Sequence, residues 1–290
     1  MSSASAIWQR IPVLVRAILT GLLVLFIGAG VWFGLLFGSR KLTTSIPWAS
    51  APIFLVVGGL FLWGFWRYLG GAGRPRSTAD ARRQNLRARK LPGAIWAWAL
   101  SAGALAEIGN VALTFVWGRL IHLQPFVLPD LSRYSNLTVL CLFLGIAVEA
   151  GVVEEAAFRG YMQVPLERRY GPLVAIIVAS VVFGVVHIAN GNRELTWLLA
   201  DAVLGAILGT MAYLTNSILP GVVLHTVNDA VRFLVAWRLG PNPPKTLIWK
   251  SGPDASFWMS VAVVAIAGSW AIWTFRKLAS AARPQSPENA

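Results

Sequence analysis

Apolar residues run almost unbroken through eight stretches of the chain, at about 12–38, 46–68, 92–117, 136–163, 171–190, 195–215, 218–239 and 256–276. A helix rises about 1.5 Å per residue, so about 20 apolar residues are needed to cross the hydrocarbon core of a bilayer. Each stretch therefore predicts a transmembrane helix. The expected fold class is all-α, a polytopic integral membrane protein of about eight spans. The first run is longer than a signal-peptide core and lacks a clear small-residue cleavage site, so it is expected to be retained.

Composition narrows the class. Of 290 residues, 56% are hydrophobic and 13% charged, with a mean hydropathy of +0.63. A soluble domain carries about 25% charged residues, so no sizeable soluble domain fits, and disorder, a collagen repeat and a disulfide scaffold are excluded. The single cysteine, Cys141, lies in an apolar run and is expected to be a small buried hydrophobe.

Charge sets the orientation. The formal net charge is +13, but seven of the 25 basic residues fall between Arg74 and Lys90, with Arg67 just upstream. Basic residues gathered in one loop between apolar spans mark a cytoplasmic loop, and anionic lipid is the natural partner of the 67–90 region. Nucleic acid is not an expected partner. With that loop inside and an even number of spans, both termini are cytoplasmic. Then 15 basic residues, including Arg283, lie inside, against 8 outside: Arg40, Lys41, Arg119, Arg133, Arg193, Arg238, Lys245 and Lys250. Trp48, Trp63, Trp66, Trp117, Trp237, Trp258 and Trp273 lie near span ends and read as interfacial anchors. Gly205 and Gly209, four apart, read as a helix-packing face. The stretch from Ala281 to Ala290 reads as a short polar tail.

Half of the twelve acidic residues lie inside these spans: Glu107, Glu149, Glu154, Glu155, Asp201 and Asp229. An ionisable group in hydrocarbon costs about 2.5–3.5 kcal/mol even on lenient scales, so each demands a partner or a function. In Glu154-Glu155-Ala156-Ala157-Phe158-Arg159, Glu155 and Arg159 are four apart on one helical face and can pair. Glu154 is turned away by about 100°. Two carboxylates beside one arginine suit general acid and base work, while a packing salt bridge is the structural alternative.

Two of three histidines, His187 and His225, also lie in apolar spans. Glu155 lies 16 residues before Gly171 and His187 lies 16 after it, so in an antiparallel pair both would be about 24 Å from the Gly171-Pro172 turn. His225 would lie about 10 Å into the seventh span. Asp229, four residues on, is placed to orient or charge the His225 imidazole. His122, in an outer loop, is given no role.

Glu154-Glu155-x-x-x-Arg159, then Phe183-x-x-x-His187, then the stretch from Gly205 to Asp229 ending in His225-x-x-x-Asp229 together resemble the CAAX prenyl protease and bacteriocin-processing (CPBP, or Abi) family of intramembrane endopeptidases. The resemblance extends over roughly 136–239. It implies that Glu154 activates the attacking water, with Glu155 and Arg159 completing the first motif and His187 assisting at that water. It further implies that His225 and Asp229 stabilise the oxyanion. The family's last position is usually asparagine. An aspartate donates no hydrogen bond unless protonated, so orientation of His225 is the expected task of Asp229. Substrates are expected among membrane-associated peptides or proteins, prenylated CAAX proteins and bacteriocin precursors included, and the location is expected to be a bacterial cytoplasmic membrane. The segments then read as a two-helix region with its basic loop (1–91), a third span and outer loop (92–135), the catalytic core (136–239) and a last loop, span and tail (240–290).

No cofactor is required by this scheme. An alternative keeps the hydrolysis but places zinc on Glu154, His187 and His225, without the His-Glu-x-x-His spacing of zincins. Two other classes stay open: a non-enzymatic scaffold or immunity protein, and a proton-coupled transporter using Glu107 and Asp201, although no paired broken half-repeats are present.

Overall fold

The computed structural model describes residues 8–38, 47–123, 125–190, 194–240 and 246–282, apart from the side chains of 47–50, 189 and 190. The expected placements of Arg40, Lys41, Arg193, Lys245 and Arg283, the Trp48 anchor and the tail beyond residue 282 lie outside the described residues or side chains. Among the described residues there are helices and no strands.

A helix stands at each of the eight apolar runs: α1 (Val13–Gly38), α2 (Pro47–Leu69), α4 (Gly93–Leu120), α5 (Asn136–Glu154), α7 (Pro172–Val186), α8 (Leu195–Thr215), α9 (Leu219–Leu239) and α10 (Ala255–Ala281). Among the shorter elements are α3 (Ala79–Leu86) in the basic loop and α6 (Gln163–Tyr170), which follows a π-helical turn at Glu155–Met162. Among the described residues, six segments are long and apolar enough to cross a membrane: Val13–Gly38, Ala51–Leu69, Gly93–Leu120, Asn136–Tyr170, Leu195–Thr215 and Ala255–Ala281. Length and composition single out six of the eight, and the other two differ for identifiable reasons. The 15 residues of α7 reach only about 22 Å, against about 30 Å of hydrocarbon. Helix α9 is long enough but carries His225, Asp229, Arg232 and Arg238.

The chain folds as two compact units, each drawn from three non-consecutive stretches. The first takes in the described residues of Met1–Ala88, Pro125–Ala175 and Gly221–Asn242. Its core is tight where glycine faces a large side chain. Trp32 is 1% exposed, its ring 4.8 Å from Phe54, and Gly58 and Gly145 lie against it. Helix α9 joins the same core through Phe233, stacked at 5.3 Å on Phe143 of α5.

The second unit takes in the described residues of Arg89–Gln124, Ile176–Pro220 and Pro243–Ala290. Helices α4 and α10 pack along each other, with Trp98 edge-on to Trp273 at 5.7 Å. Gly205 does serve packing: a Cβ there would stand 2.9 Å from the Ser180 backbone. Asp254 caps α10, accepting from the Phe257 N–H at 2.9 Å, and also meets Ser256 and Arg119 at 2.7 Å. Those hydrogen bonds, led by Ser256, hold its carboxyl well below the usual carboxylate range.

Two smaller expectations are adjusted. Cys141 is half-buried, not buried. Of the tryptophans expected as anchors, Trp63, Trp258 and Trp273 are exposed and Trp66, Trp117 and Trp237 half-buried.

Candidate active site

The first motif sits where helix α5 changes its winding. Through Glu155–Met162 the chain turns as a π-helix, and the Gln163 N–H reaches past the Arg159 carbonyl to those of Phe158 and Gly160. The whole turn is buried. Its small residues let other elements come close: a Cβ at Gly160 would meet the Asn85 carbonyl of α3 at 2.9 Å, and one at Gly21 of α1 would meet Met162 at 2.8 Å.

The Arg159 carbonyl that Gln163 skips is taken by Arg87, whose Nε and Nη2 donate to it at 3.0 and 2.7 Å. The same guanidinium grips both oxygens of Glu167 on α6, at 2.9 and 3.0 Å, and Gln163 Nε2 donates to Glu167 Oε1 at 2.7 Å. Burial pulls the Arg87 pKa below its ordinary value, and Glu167 pushes it back up. Arg82, also buried, donates to the carbonyls of Tyr68, Ala72, Gly73 and Pro75 and so folds the loop on itself. Two of the basic residues read from sequence as loop charge are therefore interior scaffolding.

Glu155 and Arg159 form the expected pair. They stand 2.8 Å apart with side chains 0% and 1% exposed. From α9, His225 brings Nδ1 to 3.0 Å from Glu155 Oε1 and donates to it. The other ring nitrogen, Nε2, faces Glu154 Oε2 and Asp229 Oδ2, each at 3.8 Å, beyond hydrogen-bond length. The bond that orients the imidazole thus comes from Glu155 and not from Asp229, the residue expected to do so. Glu154 and Asp229 keep 18% of their side chains exposed, so they are the carboxylates a water or substrate can reach.

This constellation depends on how closely α5 and α9 approach. A Cβ at Gly151 of α5 would overlap Thr226 Oγ1 and lie 2.8 Å from the Val222 carbonyl. A Cβ at Gly221 of α9 would lie 2.6 Å from Glu155 Oε2, whose carboxylate is already pinned by Arg159 and His225. Gly221→Ala is accordingly expected to push the carboxylate off the imidazole. The expected cost is about 1–3 kcal/mol from overpacking and up to about 100-fold in turnover from misplacement. Thermal unfolding in detergent, beside the rate of peptide cleavage, checks both; an alanine variant with wild-type values would mean that Glu155 does not depend on this close approach.

His187 opens a short 3-10 turn, His187–Asn190, at the end of α7 and belongs to the second unit. Its Nδ1 donates to the Phe183 carbonyl at 2.7 Å, so in the neutral tautomer Nε2 is an acceptor. Of the other acids singled out in the sequence, Glu107 accepts from Asn110 at 3.1 Å and Asp201 is buried in α8. His122 lies 3.3 Å from Glu194. Glu149, 3% exposed on α5, lies within electrostatic reach of Glu154, His225 and Asp229, and its Oε1 has no hydrogen-bond partner among the described residues. Among the described residues no three His, Cys, Asp or Glu side chains are grouped to hold a metal ion.

Sequence reasoning missed Arg87, Glu167, Gly151 and Gly221. None has a local pattern that announces it; only the three-dimensional approach of distant segments does.

With this geometry in place, the comparison with known families is specific. Residues 136–231 match the family model described as type II CAAX prenyl endopeptidase Rce1-like. The matched third of the chain contains Glu154, Glu155, Arg159, His187, His225 and Asp229, the positions on which the resemblance was read. No curated protein and no solved structure matches the chain. The apolar helices describe an integral membrane protein, and its residues 136–231 are similar to the Rce1-like type II CAAX prenyl endopeptidases.

Proposed function

We propose that the protein is an intramembrane endopeptidase of the glutamate type that hydrolyses a peptide bond of a membrane-associated substrate, without a metal or other cofactor. The observation that carries the reading is the division of labour between adjacent carboxylates. Glu155 is sealed between Arg159 and His225 Nδ1, whereas Glu154 is partly open and faces His225 Nε2.

In this scheme Glu154 takes a proton from water, the hydroxide attacks the scissile carbonyl, and Glu154 returns the proton to the departing amine. As imidazolium, His225 keeps Nδ1–H on Glu155 and presents Nε2–H to the developing oxyanion. Asp229, 3.8 Å from Nε2, balances the imidazolium charge and itself makes no bond to the oxyanion. The family likeness suggests His187 as the residue that assists at the water. Prenylated CAAX proteins and bacteriocin precursors are the substrate classes the family likeness suggests.

The basic loop faces the cytoplasmic leaflet in this reading, with both termini on the cytoplasmic side of a bacterial membrane. Arg67, Arg74, Arg76, Arg83, Arg89 and Lys90 are its exposed charges. Arg67 and Arg83 line a pocket of about 330 Å³ with Trp66 and Leu86, a place for an anionic headgroup.

Terminal proteomics of cell membranes with and without the protein tests the activity. The expected result is a set of peptide ends that appears only when the protein is present and survives chelation. Ends lost with the chelator would favour the zinc scheme, and no new ends at all would sink the hydrolase reading.

A further inference from the structure

We propose that Arg87, from the basic loop, is a positioning residue: it holds the carboxylate-bearing turn of Glu155–Met162 in its π register and so keeps Glu154 and Glu155 aimed at His225. For its kinetic consequence this rests on the endopeptidase reading above.

A π turn, with its i→i+5 bonding, is rare and occurs mostly as a single turn inside an α-helix, so its persistence calls for something in its surroundings that holds it. Here the surroundings are identifiable. If the turn relaxed to α winding, the Gln163 N–H would take the Arg159 carbonyl, and the side chains on one side of the turn would rotate by about 100° against those on the other. Glu155 could then not meet His225 while Glu167 kept its present place. Arg87 opposes that relaxation from both sides. One edge of its planar fork occupies the Arg159 carbonyl inside the turn, and the other occupies Glu167 beyond it.

The arm that delivers Arg87 is built for this contact. Arg87 ends α3 with a left-handed backbone, φ 40°, a conformation disfavoured for residues with a β-carbon. Its side chain is nonetheless buried at 4% exposure, amid exposed basic neighbours. The same arm also meets the turn through Asn85 against Gly160, and Tyr161 Oη ties the turn to the end of α2 by donating to the Leu69 carbonyl at 2.9 Å.

Three variants of the full-length protein in lipid nanodiscs test the proposal: Arg87→Met, Arg87→Lys and, as a loop control, Arg76→Met. The first readout is hydrogen exchange of the 155–163 backbone, which needs no substrate. It is expected to accelerate in Arg87→Met, to be partly restored in Arg87→Lys, whose single ammonium cannot span both acceptors, and to stay as wild type in Arg76→Met. The second is cleavage of a membrane-anchored reporter peptide. Arg87→Met is expected to lower kcat by about 100-fold, as a displacement of about 1 Å can, with KM within about twofold.

Unchanged exchange at 155–163 in Arg87→Met overturns the proposal. So does full kcat in the folded fraction with only a lowered Tm, which would make the arginine merely structural. If Arg87→Met does not accumulate, Arg87→Lys carries the same two readouts, and wild-type behaviour there overturns it equally. If the wild-type protein cleaves nothing, the endopeptidase reading fails by itself, and the exchange experiment still decides what Arg87 holds.

Discussion

Glu154→Gln is expected to leave a folded, membrane-inserted protein whose cleavage rate has fallen by about 10²–10⁴-fold, the range that a positioned acid-base group contributes. Glutamine keeps the length and planarity of the side chain but cannot accept a proton from water. The effect should lie in kcat, because Glu154 acts on the water and not on the substrate's anchoring. Stability should hold or rise slightly. Glu154 Oε2 stands 3.8 Å from His225 and the side chain is only 18% exposed, so its charge is incompletely hydrated and a neutral isostere relieves desolvation. Active-site residues commonly carry such a cost. The measurement is single-turnover cleavage of a membrane-anchored reporter peptide, run beside thermal unfolding. A scaffold or immunity protein predicts the opposite: biological activity unaffected at normal abundance, with any phenotype following expression. That outcome would replace the hydrolase with a binding protein.

The hydrophobic pattern located all eight long helices because each segment must satisfy its own backbone and bury or immerse its own side chains, which is local information. It does not by itself fix the number of crossings, since the pattern reports hydrophobicity and not where a helix stops. The run at 171–190 includes His187–Asn190, which turns as a 3-10 helix and leaves α7 at 15 residues. The Glu155–Arg159 pair was also legible, being an i,i+4 relation on one element.

The π turn was not legible. Apolar periodicity cannot show a change of winding where every residue from Glu155 to Met162 is buried, because no exposed face remains to reveal the phase. The orientation of His225 by Glu155 was missed for another reason. Asp229 is the sequence neighbour at i+4, but the 3.0 Å contact to Glu155 exists only because Gly151 and Gly221 let α5 and α9 close up. Arg87, like Arg82, was hidden among basic residues most of which are exposed, and nothing local separates a buried arginine from its surface neighbours.

Removing one partner of the buried ion pair should produce the largest loss of stability. Arg159→Ala leaves Glu155, 0% exposed, facing only His225, and also empties the volume of one of the largest fully buried side chains. Breaking a buried pair from one side costs about 3–5 kcal/mol, because the remaining charge is left without compensation. On a protein of ordinary stability, about 5–15 kcal/mol, that is enough to cut abundance severely. The comparison that isolates charge from volume is Arg159→Met against the double variant Arg159→Met with Glu155→Leu. The single change should be strongly destabilising. The double change should recover most of the loss, since an apolar pair of similar bulk in a buried site is often neutral or better. It should still be inactive, because His225 loses the acceptor for Nδ1–H and the imidazole is no longer aimed at Glu154. Thermal unfolding in detergent for the three proteins, with cleavage measured on the folded fractions, gives the result. A double variant that is stable and fully active would show that the pair serves packing alone and that His225 finds its orientation elsewhere.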